Sequence, residues 1–197
     1  MQKQNDLRVV RTRQMIKDAF LELMDTIGFS KITVKNLTKK ASISRNTFYL
    51  HYKDKFDLLE QLENEILDGL KSLAMDLPIE VQITEGSADD KMFAVILQAL
   101  EYIQKNRYFF SLIIGKNGDP AFYRKLHETI KSVMLSKNLM DKLKIPEKYA
   151  IAFVIGGHTS IINEWLSSGM KETPYELASI ITSIFKNMSH SFFDPKT

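Results

Sequence analysis

Thr33-Val34-Lys35-Asn36-Leu37-Thr38-Lys39-Lys40-Ala41-Ser42-Ile43-Ser44-Arg45-Asn46-Thr47-Phe48-Tyr49-Leu50-His51-Tyr52 reads as two short helices and the turn that joins them. Thr33 is placed to cap the first, with Val34, Leu37 and Ala41 on its inward side. Ser42-Ile43 makes the turn, and Ser44 caps a second helix over about Arg45–His51. Ile43, Phe48 and Tyr52 can face a core, which turns Arg45, Asn46, Thr47, Tyr49 and His51 outward. That outward set suits the major groove of DNA, which is wide enough for one helix. Arginine bonds guanine bidentately there, and a threonine methyl can touch thymine. The Tyr49 hydroxyl and His51 are suited to phosphate oxygens.

The flanking sequence supports this pair. Upstream, Met15, Ile16, Ala19, Phe20, Leu23, Met24 and Ile27 mark one face of a helix that Gly28 can stop. Downstream, Asp54 and Asp57 have capping-box spacing at the head of a helix with an apolar stripe from Leu58 to Leu73. Two short helices braced by a third make a helix-turn-helix. Thr33 and Lys35 open the first short helix, where free N–H groups and the positive dipole end favour phosphate, and Lys55 does the same at the next helix. Capping alone would also explain Thr33, and a solvated surface would also accommodate Lys35 and Arg45. The charge pattern agrees with a polyanion partner. Residues 1–55 carry 12 Lys+Arg against 5 Asp+Glu, and residues 56–197 carry 15 against 19.

Gly28-Phe29-Ser30-Lys31-Ile32-Thr33-Val34, followed by the run from Ala41 to Lys55, resembles the DNA-binding domain of the tetracycline-repressor (TetR) family, over about residues 8–56. The family often has glycine where this chain has Ser42, and a small residue or proline where it has Asn46. The resemblance implies a homodimeric, ligand-responsive transcriptional regulator, repression being the family default. Thr33, Lys35, Arg45, Asn46, Thr47, Tyr49, His51 and Lys55 match the family's contact positions. The stretch Phe110–Phe122, with Asn163–Met170, resembles the C-terminal domain of TetR-type regulators of Firmicutes, which implies a Gram-positive source.

The rest of the 197-residue chain has helical periodicity throughout, with breaks at Pro78–Ser87 and Gly115–Pro120. Pro146 suits a first helical position, and Thr173-Pro174-Tyr175-Glu176 opens a last helix to about Phe192. The expected fold is all-α with about nine helices: residues 1–55 as a three-helix helix-turn-helix domain, and 56–197 as a helical bundle for dimerisation and effector binding. Only 8 glycines and 5 prolines argue against a many-turned β fold, and the lack of cysteine excludes disulfides and thiol chemistry. No apolar run follows the opening residues and none is long enough to span a bilayer, so a cytoplasmic protein without membrane contact is expected. No metal site, cofactor or enzyme is expected either. Gly115-Lys116 lacks a preceding glycine-rich loop, and His127-Glu128 lacks a second histidine at zincin spacing.

Two further expectations concern residues 56–197. Broad apolar faces on the last two long helices make Ile162, Trp165, Ile181, Ile184 and Met188 candidates for a dimer interface, with Gly156-Gly157 permitting close helix approach. Phe93, Ile96, Tyr102, Phe110, Met134, Phe153 and His158 are candidates for a pocket accepting an apolar or amphipathic small-molecule effector. Core packing would account for the same residues. The expected DNA partner is an inverted-repeat operator read by a two-fold dimer. The alternative is a protein of the same fold acting mainly through another protein, as an interaction partner or co-activator.

Overall fold

The computed structural model describes residues 2–75, 88–114, 120–136 and 146–192. Among them are nine α-helices, one 3-10 turn and no strand. The helices are α1 (Gln2–Ile27), α2 (Val34–Lys40), α3 (Arg45–Tyr49), α4 (Lys55–Met75), α5 (Ala88–Lys105), α6 (Arg107–Ile114), α7 (Pro120–Ser136), α8 (Glu147–Ser167) and α9 (Pro174–Phe192). The expected loop at 78–87 lies outside the described residues, as does that at 115–120 apart from Pro120, which opens α7, and so do the side chains of Met134 and Met188.

The chain divides into two compact units, and the boundary lies inside α4, between Ile66 and Leu67, rather than at residue 55. The first half of α4 buries Leu58, Leu59, Leu62 and Ile66, and its polar side chains meet α1 through Arg13–Gln61 and Lys17–Glu65. The N-terminal unit therefore keeps half of the helix expected to lie beyond it.

In this unit α1 buries Ile16, Ala19, Phe20 and Met24, whereas Met15, expected on the same face, is exposed. Gly28 ends α1 at φ 76°, a left-handed value open to a residue without Cβ. A 3-10 turn, Phe29–Lys31, leads to Thr33, which caps α2. The cap is reciprocal: the Asn36 N–H donates to Thr33 Oγ1, and the Thr33 N–H donates to Asn36 Oδ1. The end of α2 is a Schellman motif, with Ile43 N–H on the Thr38 carbonyl, Ser42 N–H on the Lys39 carbonyl and Ser42 at φ 53°. Ser44 then caps α3 by accepting from Thr47 N–H. This helix is shorter than expected, ending at Tyr49 with His51 in the following turn. Asp54 accepts from the N–H groups of Phe56 and Asp57, while Asp57 reaches back to the N–H of Lys53.

The C-terminal unit is built around α5, along which α9 packs, while α6 contacts α5, α7 and α8. Phe109, Phe110 and Phe122 form an edge-to-face cluster with centroids 5.8–6.3 Å apart. Gly69 on α4 lies under the Tyr102 ring of α5, and a Cβ there would overlap the tyrosine hydroxyl. Trp165 is buried, with Nε1–H donating to the Glu172 carbonyl at 2.9 Å. Pro146 stands one residue ahead of α8 rather than in its first turn. Thr173 and Glu176 form the expected capping box ahead of α9.

Candidate nucleic-acid interface

Phe48 is 0% exposed and Tyr52 is also buried, and together they seat α3 on the core. Burying a side chain the size of Phe48 contributes about 1.5–3 kcal/mol. With that side fixed, Arg45, Asn46 and Tyr49 are exposed, as are Thr33 and Lys35 at the start of α2. Thr47 is half-buried, its hydroxyl 2.8 Å from that of Ser44. Thr33 is both a cap and an exposed hydroxyl: its oxygen accepts from Asn36, and its own proton can serve a phosphate. His51 is half-buried, and burial together with the nearby Arg13 guanidinium holds its pKa below the ordinary 6.5. At neutral pH it is an uncharged hydrogen-bonding group rather than a cation. Leu50, at the end of α3, is 81% exposed, a feature the sequence pattern did not single out.

Lys55 has a different setting from the one expected. Its ammonium donates to the carbonyls of Phe29 and Ser30, at 3.0 and 3.1 Å, and lies 4.7 Å from the Phe29 ring centroid. Two of its three protons therefore tie the start of α4 to the 3-10 turn, and one remains for any phosphate.

A short helix with an exposed arginine in its first turn, joined by a tight turn to a capped helix before it, is the geometry of a helix-turn-helix reading head. Residues 16–62 match the family of bacterial regulatory proteins described as tetR, and residues 90–187 match a transcriptional regulator C-terminal region. The chain belongs to the TetR family. Family members are helix-turn-helix transcriptional regulators. The uncharacterised HTH-type transcriptional regulator YxbF of Bacillus subtilis (strain 168) is 30% identical over 162 residues, which is 79% of this chain. The match spans only 40% of the length of YxbF. A TetR regulator of Streptococcus agalactiae 2603V has the same fold, with a TM-score of 0.65 at 20% identity, over 93% of this chain and 98% of that one. SmeT, solved in complex with triclosan, aligns with a TM-score of 0.64 at 12% identity, over 94% of this chain and 93% of that one.

Within this TetR-family fold, the residues expected at a dimer interface separate into two groups. Trp165 and Ile181 belong to the protomer's own core, Ile181 at 0% exposure, so neither presents a surface to a second chain. Ile184 is 40% exposed and Ile162 is half-buried. Further exposed apolar side chains on the same two helices are Tyr149, Phe153, Tyr175 and Ile180. Gly156 is also exposed, with open space where its Cβ would be.

The pocket candidates are dispersed as well. Ile96 and Phe110 are core residues, Phe110 within the phenylalanine cluster. Phe93 is half-buried, with its ring 5.1 Å from that of Tyr175, and Tyr102 covers Gly69. Phe153 is 41% exposed and so lies outside any enclosed site. His158 Nδ1 is 2.7 Å from the Val154 carbonyl, a bond along its own helix. No helix among the described residues is long and apolar enough to cross a membrane.

Proposed function

We propose that this chain is a cytoplasmic, homodimeric repressor that reads an inverted-repeat operator through α3 and is released by a small apolar or amphipathic effector. The observation that carries the reading is the exposed Arg45-Asn46-Tyr49 surface of α3, held by buried Phe48 and Tyr52 beside exposed Thr33 and Lys35. Arginine and asparagine offer base-edge hydrogen bonds, while threonine, lysine and tyrosine offer phosphate contacts. Dimerisation is supported by the exposed apolar side chains of α8 and α9, which a second copy would cover. An effector is supported by the aromatic side chains of the C-terminal unit and by the triclosan complex of SmeT, a chain of the same fold.

Selection of duplexes from a random pool with the purified chain tests the reading. The expected product is an inverted repeat whose half-site centres lie about 34–36 Å apart. Recovery of sequences without two-fold symmetry would count against a dimer reading DNA. Thermal-shift screening of apolar compounds, with and without the selected duplex, tests the effector. An effector must bind the DNA-free state more tightly, and by reciprocity the duplex must weaken its binding by the same factor.

A further inference from the structure

Two polar rungs join α1 to the first half of α4. Lys17 reaches Glu65 at 3.4 Å, and one turn earlier Arg13 Nη2 donates to Gln61 Oε1 at 3.1 Å. The first is a surface ion pair of the kind worth little. The second continues further. The Gln61 amide nitrogen donates to Asp57 Oδ1 at 3.1 Å, and Asp57 Oδ2 accepts the N–H of Lys53 at 2.7 Å. The amide has one favourable orientation in this chain, because reversal would set its NH2 against the guanidinium and its carbonyl against the carboxylate. The same guanidinium lies 5.5 Å from the ring centroid of buried Tyr52. The two arms of Arg13 thus end on consecutive residues, Tyr52 and Lys53, in the link between α3 and α4.

We propose that Arg13, which precedes the matched residues 16–62, is a positioning residue for DNA reading: through Gln61 and Tyr52 it fixes the carboxy-terminal end of α3, and with it the orientation of the base-reading side chains Arg45 and Asn46. The proposal rests on the reading of α3 as the helix that meets bases. The two tasks require an arginine. A planar guanidinium can lie over a ring while one nitrogen points sideways to an amide, whereas a lysine ammonium on a flexible stem fixes neither direction. The rival role for an exposed arginine here is a direct phosphate contact.

The test uses the full chain, a duplex selected from a random pool by the wild type, and a scrambled duplex of equal length. Arg13→Lys, Arg13→Gln and Gln61→Ala should each bind the selected duplex about 10-fold more weakly, which corresponds to about 1.4 kcal/mol. Binding to the scrambled duplex and the slope of log K against log salt should be unchanged. The double variant Arg13→Gln/Gln61→Ala should lose less than the sum of the single losses, since both act through one chain of hydrogen bonds. In an NMR titration of Arg13→Gln, His51 should move up in pKa, as expected when the neighbouring cation is removed. Arg13→Lys retains the charge and the helix, so it decides the matter should Arg13→Gln melt below the assay temperature. A salt slope shallower by about 1 would mark Arg13 as a phosphate contact and overturn the proposal. Equal losses on both duplexes, or wild-type binding by Arg13→Lys and Arg13→Gln, would overturn it too. A wild type that selects no duplex would remove the underlying reading of α3 together with this one, whereas a selective wild type with indifferent Arg13 variants would remove this one alone.

Discussion

Arg45 and Lys35 are both exposed cations of the N-terminal unit, yet their settings predict different consequences when each is removed. Arg45 opens α3, so Arg45→Ala should cost about 1–3 kcal/mol and relax base preference at one position per half-site. Lys35 lies in the first turn of α2, so Lys35→Ala should weaken all duplexes alike and make the salt slope shallower by about 1. Binding curves on point-substituted duplexes at several salt concentrations check both. Lys55→Ala should instead lower folding stability by about 1.5–3 kcal/mol in urea, because it removes charge-assisted hydrogen bonds to the Phe29 and Ser30 carbonyls. At this scale the exposure of Arg45, Asn46 and Tyr49 was legible, since one helical turn of local sequence fixes which side chains Phe48 turns away from the core, whereas Thr47 and His51, expected outward as well, are half-buried and His51 lies beyond the helix. The tether of Lys55 was not, because its partners lie more than a score of residues earlier and no local spacing encodes that contact. His158 carries a pH signature. Burial, partly offset by its hydrogen bond to Val154, holds its pKa below 6.5, and His51 is lowered by burial and by Arg13. Below about pH 6.5 the unfolded chain takes up protons that the folded one does not, so stability is full above that pH and declines as pH falls toward the folded-state values. Urea midpoints should follow this course, and His158→Gln should flatten part of it.

The turn between α2 and α3 was readable as a turn, but the sequence pattern alone did not reveal its strain. Ser42 occupies the left-handed position of a Schellman motif at φ 53°, where a side chain costs about 1–2 kcal/mol relative to glycine. This accounts for the glycine frequent at this position in related chains. Ser42→Gly should raise folding stability by about 0.5–1 kcal/mol, a gain reduced by the greater freedom of glycine in the unfolded chain. A fall in the urea midpoint would show that the Ser42 side chain stabilises the turn. Helix existence was legible almost throughout, because periodic apolar positions and caps such as Thr173–Glu176 are local signals. The role of an apolar face was less so. Trp165 and Ile181 share the periodicity of interface residues, yet a protomer core and a dimer interface both demand apolar side chains, and periodicity does not distinguish them.

That division gives a prediction for the assembled molecule. Ile184→Glu places a charge on an exposed position of α9, so the protomer should remain folded while sedimentation reports monomers and operator binding is lost. Ile181→Glu buries the same charge in the protomer core, so it should unfold the C-terminal unit. A dimeric, operator-binding Ile184→Glu protein would place the interface on another surface. The helix shared by the two units has a consequence for exchanging parts between regulators. A chimera joined at residue 55 would leave Leu58, Leu59, Leu62 and Ile66 on the donor side and deprive the grafted head of a wall of its own interior. The workable splice lies in mid-helix, between Ile66 and Leu67, where a junction must preserve the phase of the helix at 100° per residue. Recombination between relatives would then tend to carry the first half of α4 along with the sequence-reading end, as a single heritable cassette.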